Sequence, residues 1–331
     1  MAHNRKHVIL GILILLNVLL VIFSLGFIWH TQTSLTVPFS SLIIPTEPQL
    51  TPATIPLAVP IQTRPTPSPP ISVKSSLTPS PTTLVSSNFS APSSSPTPLP
   101  PNAEQIGTSV NGFPILVYRF GSGKSERLIV AGIHGGNEYN TVLLAEQLII
   151  YLTSNPQVIP PDKTLYILPD LNPDGFNYSW DIYGRANGNN VDLNHNFPYR
   201  WASAWDRSSC WHYLKLSGGK SPASEPETQA LMGFLLSHPI QALISYHSAA
   251  MGIFPGGNPT FPPSINLAKA IAKVSHYPYP PLDTGCDYTG NLTDWAATLG
   301  IAAVDIELSN HRDTDFDQNK MILQEFLRWQ K

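Results

Sequence analysis

The sequence predicts an α/β domain placed behind a membrane-spanning helix and a disordered spacer. Three observations predict it. Strand-like runs alternate with helical patterns over the C-terminal two thirds. Residues 8–29 form an apolar run with no charge. Half of the 34 prolines fall between Pro38 and Pro101. Proline is about twice its ordinary usage of ~5%, and only 12% of the 331 residues are charged. One uniform fold over the full length is therefore excluded.

Residues 1–30 form the first zone. The run VILGILILLNVLLVIFSLGFIW has 22 residues, and such a helix rises about 33 Å against a hydrocarbon core of about 30 Å. Arg5 and Lys6 precede it, and the next cation is Arg64. That asymmetry places the N-terminus in the cytoplasm and the rest outside. A cleaved signal peptide has a shorter apolar stretch and a small-residue cleavage site, which Trp29-His30-Thr31-Gln32 does not offer. The expectation is thus an uncleaved single-pass anchor in the cell membrane. Residues 31–102 are rich in Pro, Ser and Thr, with Glu47, Arg64 and Lys74 as their charges. Such a segment cannot bury enough apolar surface to offset chain entropy and reads as a disordered linker.

Residues 103–331 are long enough for one sizeable core. They hold 15 Lys+Arg against 21 Asp+Glu, a formal charge of −6, which argues against nucleic acid as a partner. Cys210 and Cys286 both lie here. Outside the cell they can form a bridge, or they can remain two buried thiols.

Within this zone, Pro114–Phe120 and Arg127–Ile133 read as strands. Asn140–Leu152 has apolar residues at helical spacing, and Leu165–Leu168 is a short strand before Pro169. Asn172-Pro173-Asp174-Gly175 is a turn sequence. Ser224 and Glu227 have capping-box spacing for a helix running to His238. Ala242–Tyr246 and Ala302–Leu308 read as strands, and Ile265–Val274 and Phe316–Trp329 as helices. Alternating elements favour a sheet covered on both faces.

Three apolar strands run into groups that can bind a metal or move a proton: RLIVAGI into His134-Gly135-Gly136-Asn137-Glu138, ALISY into His247, and AAVDI into Glu307. Ligands of open α/β sheets bind at such strand ends. A catalytic zinc needs three protein ligands and an open position. His134, Glu138 and His247 can supply the three, which leaves Glu307 as a base. Arg185 offers a cation for a developing oxyanion.

These residues resemble the zinc metallocarboxypeptidases of the carboxypeptidase A type. The resemblance runs in order through HGGNE (134–138), NPDGF (172–176), RAN (185–187), VDLNHNFP (191–198), SEPET (224–228), YHS (246–248), TDW (293–295) and the strand closing on Glu307. It implies a three-layer α/β/α fold on a mixed, mainly eight-stranded sheet, one zinc, and release of C-terminal residues from peptides. By position it implies His134, Glu138 and His247 as zinc ligands, Glu307 as general base and Arg185 at the scissile carbonyl. Asp192 matches the carboxylate that orients the first zinc histidine. Asn194 matches a group on the substrate carboxylate, and Tyr288 lies near the place of a tyrosine that covers the substrate.

Two positions depart from that pattern. The first His and Glu are separated by three residues rather than two, with Glu138 favoured over Asn137 as ligand. His195 stands where the pattern has the arginine that clamps a C-terminal carboxylate, a permanent planar fork that histidine does not provide. Arg200 and Arg207 are nearby substitutes. The expected substrates are peptide C-termini or peptidoglycan stem peptides, which some bacterial relatives of the family cut. Alternatives are hydrolysis of N-acyl amino acids and a non-catalytic peptide-binding module.

Overall fold

The computed structural model describes residues 99–331 apart from 207–213, 250–251 and 284. The expected anchor and linker lie outside the described residues, as do Cys210 and Arg207. Among the described residues no helix is long and apolar enough to cross a membrane.

Seven strands build one sheet: β1 (Ala103–Thr108), β2 (Pro114–Gly121), β3 (Ser125–Val130), β4 (Lys163–Leu168), β5 (Ile240–Ser248), β6 (Gly252–Pro255) and β7 (Ala302–Leu308). Their order is β1-β2-β4-β3-β5-β7-β6. The central four are parallel, and antiparallel pairs close both sides. Among the described residues six α-helices accompany them: α1 (Tyr139–Ser154), α2 (Pro173–Tyr178), α3 (Pro226–Ser237), α4 (Pro262–Ala272), α5 (Leu292–Thr298) and α6 (Phe316–Arg328).

The central strands are buried on both faces, and each face has its own core. On one side Ile129, Ile244, Val304 and Ile306 pack with Leu144 and Leu148 of α1, Leu267 of α4, and Ile322 and Phe326 of α6. On the other, Leu128, Val130, Leu243 and Ala303 pack with Leu231 and Phe234 of α3 and Trp295 of α5. This is the three-layer α/β/α arrangement that the alternation of elements predicts.

Three differences from the sequence reading have physical causes. Seven strands are found among the described residues rather than eight. The chain beyond β6 touches it through the Ile253 N–H to Pro278 carbonyl bond, and Pro278, Pro280 and Pro281 have no N–H to extend a ladder. The capping box at Ser224 does not form. Glu225 is the N-cap residue, without a side-chain cap bond. Ser224 Oγ instead donates to Glu225 Oε1 at 2.6 Å. Glu227 accepts from the Val110 N–H and from Asn187 Nδ2, so long-range partners take the groups the box would use. The Asn172–Gly175 turn continues into α2, with Asn172 Oδ1 accepting from the Gly175 N–H at 3.0 Å.

Candidate active site

Strand alternation builds the floor of the site. In the parallel pair β5–β7, Ser245 lies beside Asp305 and His247 beside Glu307. Leu243 and Ala303 precede them on the same face and belong to the apolar core there. The face therefore changes from apolar to polar over the last turn of each strand. This happens at the carboxyl ends of the strands, where an α/β sheet opens.

His134 and Glu138 come from the loop after β3. Residues Gly135–Glu138 form a single 3-10 turn. The extra residue between His and Glu is absorbed there because both glycines are pressed against neighbouring backbone. Gly135 has φ 48°, and a Cβ on it would lie 2.7 Å from the Phe176 nitrogen. A Cβ on Gly136 would lie 1.8 Å from the Ser179 carbonyl oxygen. No other residue fits. Glu138 thus faces His134, and Asn137 lines the cavity wall.

The cluster has ligand geometry. His134 Nδ1 lies 2.8 Å from Glu138 Oε1, His247 Nδ1 lies 3.2 Å from Glu138 Oε2, and the two Nδ1 atoms are 3.3 Å apart. Two donors each about 2.0–2.1 Å from one tetrahedral zinc are about 3.3–3.4 Å apart. Both histidines turn the other ring nitrogen toward a carboxylate. His134 Nε2 is 3.3 Å from Asp192 Oδ1, and His247 Nε2 is 3.4 Å from Asp305 Oδ1 and 3.0 Å from Ser245 Oγ, which hydrogen-bonds it. His134 Nε2 is buried and, despite that proximity, lacks a well-directed hydrogen bond. The distance makes it a charge contact. Carboxylates behind metal-binding histidines fix the tautomer and raise ligand basicity. The donor set fits zinc.

The charges are interlocked. Burial pushes the Glu138 carboxyl up, but His134 and His247 against it outweigh burial and hold it well below the usual carboxylate range. Burial also pushes Asp192 up, and Arg185 with His134 pulls it well below its ordinary value. Arg185 Nε donates to Asp192 Oδ2 at 2.8 Å and Nη1 to Glu138 Oε1 at 3.3 Å. Burial alone would lower the Arg185 pKa, and Asp192 and Glu138 more than compensate. His247 is buried too, which lowers its pKa, yet Asp305 and Glu138 raise it well above the ordinary histidine value.

A cavity of about 420 Å³ opens over this cluster, lined among others by Glu307, Asn194, His195 and Tyr288. All nine residues singled out from sequence meet at or directly behind it. Asn194 Oδ1 accepts from the Leu292 N–H at 3.0 Å, which aims its amide. His195 is buried, its ring stacked on Trp205 at 3.5 Å and 10° between planes. Tyr288 stacks more loosely beyond it at 6.5 Å. Asp305 was missed, although it sits two residues before Glu307 in a strand, on the same face. His311, which sequence reasoning did not single out, also lines the cavity, and its Nδ1 lies 3.1 Å from Ser248 Oγ.

Comparison with known proteins agrees with this geometry. Murein peptide amidase A of Escherichia coli is 28% identical over 244 residues, covering 70% of this chain and 91% of that protein. Mast cell carboxypeptidase A of Rattus norvegicus is 28% identical over 233 residues, 60% of this chain and 55% of that one. The crystal structure of murein-tripeptide amidase from Escherichia coli O157 superposes with a TM-score of 0.51 at 26% identity, covering 71% of this chain and 94% of the other. Bovine thrombin-activatable fibrinolysis inhibitor shares the fold at a TM-score of 0.56 and 24% identity, covering 68% and 88%. The zinc carboxypeptidase family model matches residues 101–326, nearly all of the folded region described above, and the chain belongs to that family of zinc-dependent peptidases.

Proposed function

We propose that the domain is an outward-facing, membrane-tethered zinc carboxypeptidase that trims cell-wall stem peptides. One observation carries the chemistry. Glu307 lies beside His247 in register, so a carboxylate outside the ligand cluster shares one cavity with it and with Arg185. The substrate class is supported by the similarity to a murein peptide amidase over 91% of its length. An apolar run and a spacer in the sequence are consistent with work outside the cell.

Zinc, when bound, supplies Lewis acidity, acidifying a water and polarising a carbonyl. The residues of the chain do the rest. His134, Glu138 and His247 would hold the metal, oriented from behind by Asp192 and Asp305. Glu307 takes the proton of the attacking water and passes it to the leaving amine. Arg185, kept charged and fixed by Asp192 and Glu138, faces the oxygen on which negative charge develops. Asn194 and Tyr288 frame the substrate end. The longer His–Glu spacing, which motivated the reading as a non-catalytic module, does not part Glu138 from His134.

The test is to offer the zinc-loaded chain a mixture of stem peptides, ordinary peptides and N-acyl amino acids, and to weigh the products. Release of one residue from the stem peptides, abolished by a chelator and restored by zinc, is expected. Preferential release of acyl groups from the amino acids would transfer the site to deacylation.

A further inference from the structure

We infer that Arg200 is the anchor for the free carboxylate at the substrate's C-terminus, with Asp287 holding its guanidinium until the substrate takes over. The inference rests on the peptidase reading for its ligand class. It deepens that reading by supplying a residue that the family pattern does not.

A carboxylate entering this cavity needs a cation. Among the described residues lining it, the permanent cations are Arg185 and Arg200. Arg185 is already spent on Asp192 and Glu138. His195, where the pattern has an arginine, is buried and stacked on Trp205, and a histidine carries charge only when protonated.

Arg200 is differently placed. Its side chain is one third exposed. Its Nη2 alone takes both oxygens of Asp287, at 2.8 and 3.0 Å. Nε and Nη1 have no protein partner among the described residues, so part of the fork remains for another acceptor. Asp287 is 68% exposed, and an ion pair in water is weakly held. A second carboxylate can displace it at little cost.

Two further observations point the same way. Arg200 has φ 50°, a conformation that L residues with side chains rarely adopt. Such conformations persist where the surroundings enforce them, often at ligand sites. The charge of Arg200 also reaches inward. Burial raises the Asp294 pKa on the cavity wall, and Arg200 is among the groups that counter it.

Binding is measured by calorimetry on the zinc-loaded full chain carrying Glu307→Gln, with an N-acetylated dipeptide as free acid and as C-terminal amide. The acid is expected to bind at least about tenfold more tightly. Arg200→Gln added to that chain should bring the ratio to about 1 and leave the amide unchanged. Arg200→Lys should retain part of the preference, and Asp287→Asn should keep or increase it. Unchanged zinc content in each variant excludes misfolding. An acid preference that survives Arg200→Gln, or no preference before it, overturns the inference. Turnover by the native chain is scored separately. Hydrolysis with a preference indifferent to Arg200 sinks the anchor alone. A preference that depends on Arg200, without hydrolysis, sinks the peptidase reading alone.

Discussion

Strand β7 has two faces that differ in every respect that matters. Val304, Ile306 and Leu308 are fully buried against the helices of one core. Asp305 and Glu307, the residues between them, face the cavity on the other side. The first set stabilises by removing apolar area from water, about 25 cal/mol per Å². The second set adds no such apolar burial, because its carboxylates face His247 and the cavity. One strand thus carries scaffold and chemistry at alternate residues. Stability and activity should separate one residue at a time.

The largest effect is expected at Glu307. Glu307→Gln keeps shape and removes the base. Turnover should fall about 10²–10⁴-fold, with zinc content and melting temperature unchanged. Full activity in that variant would remove Glu307 from the mechanism. Next, Ile306→Ala should cost about 2–5 kcal/mol in denaturant unfolding, while turnover per folded, zinc-loaded molecule stays within about twofold. A large loss of turnover there would mean that the two faces are not independent. Third, Asp305→Asn should weaken zinc binding about 10–100-fold, read by competition against a chelator, because His247 loses the carboxylate behind it. A normal zinc affinity would reduce Asp305 to a partner of Thr293, whose Oγ1 donates to it at 2.8 Å.

The same alternation explains what could be read from sequence. Glu307, His247 and His134 were legible because each ends an apolar run, where a charged group has no packing role. Asp305 was missed because AAVDI was read only as the apolar run leading into Glu307, although two-residue periodicity puts Asp305 on the same face as Glu307. The match of Glu138 to the site depends on Gly135 and Gly136 meeting the backbone of Phe176 and Ser179, contacts between segments some 40 residues apart that no local pattern encodes. The capping box failed for a similar reason, since Glu227 is taken by Val110 and Asn187. β6, four residues long, lies below what periodicity can resolve. Local chemistry at strand ends is visible in sequence, and its long-range partners are not.

The smallest effect concerns how β7 is fastened where its two faces end. Asp315 accepts from the Ser309 N–H at 2.9 Å, from Ser309 Oγ at 2.7 Å and from the Tyr277 hydroxyl at 2.8 Å, just beyond Leu308. Burial raises its pKa, and the bonds from Ser309 and Tyr277 outweigh burial and leave it below the ordinary aspartate value. A carboxyl whose pKa is lower in the folded chain adds stability above its unfolded value, about 3.9, and loses it as pH falls through the folded value. Asp315→Asn should therefore lower the unfolding midpoint at pH 7, and the effect should vanish as pH drops through and below the folded value. Because the carboxylate is only partly buried and solvent screens it, the difference should stay under about 1 kcal/mol. It should leave turnover untouched, since Asp315 meets neither the ligand cluster nor the cavity wall. A pH-independent loss would assign the effect to packing, whereas a loss of turnover would show that the end of β7 sets the position of Glu307 across the strand.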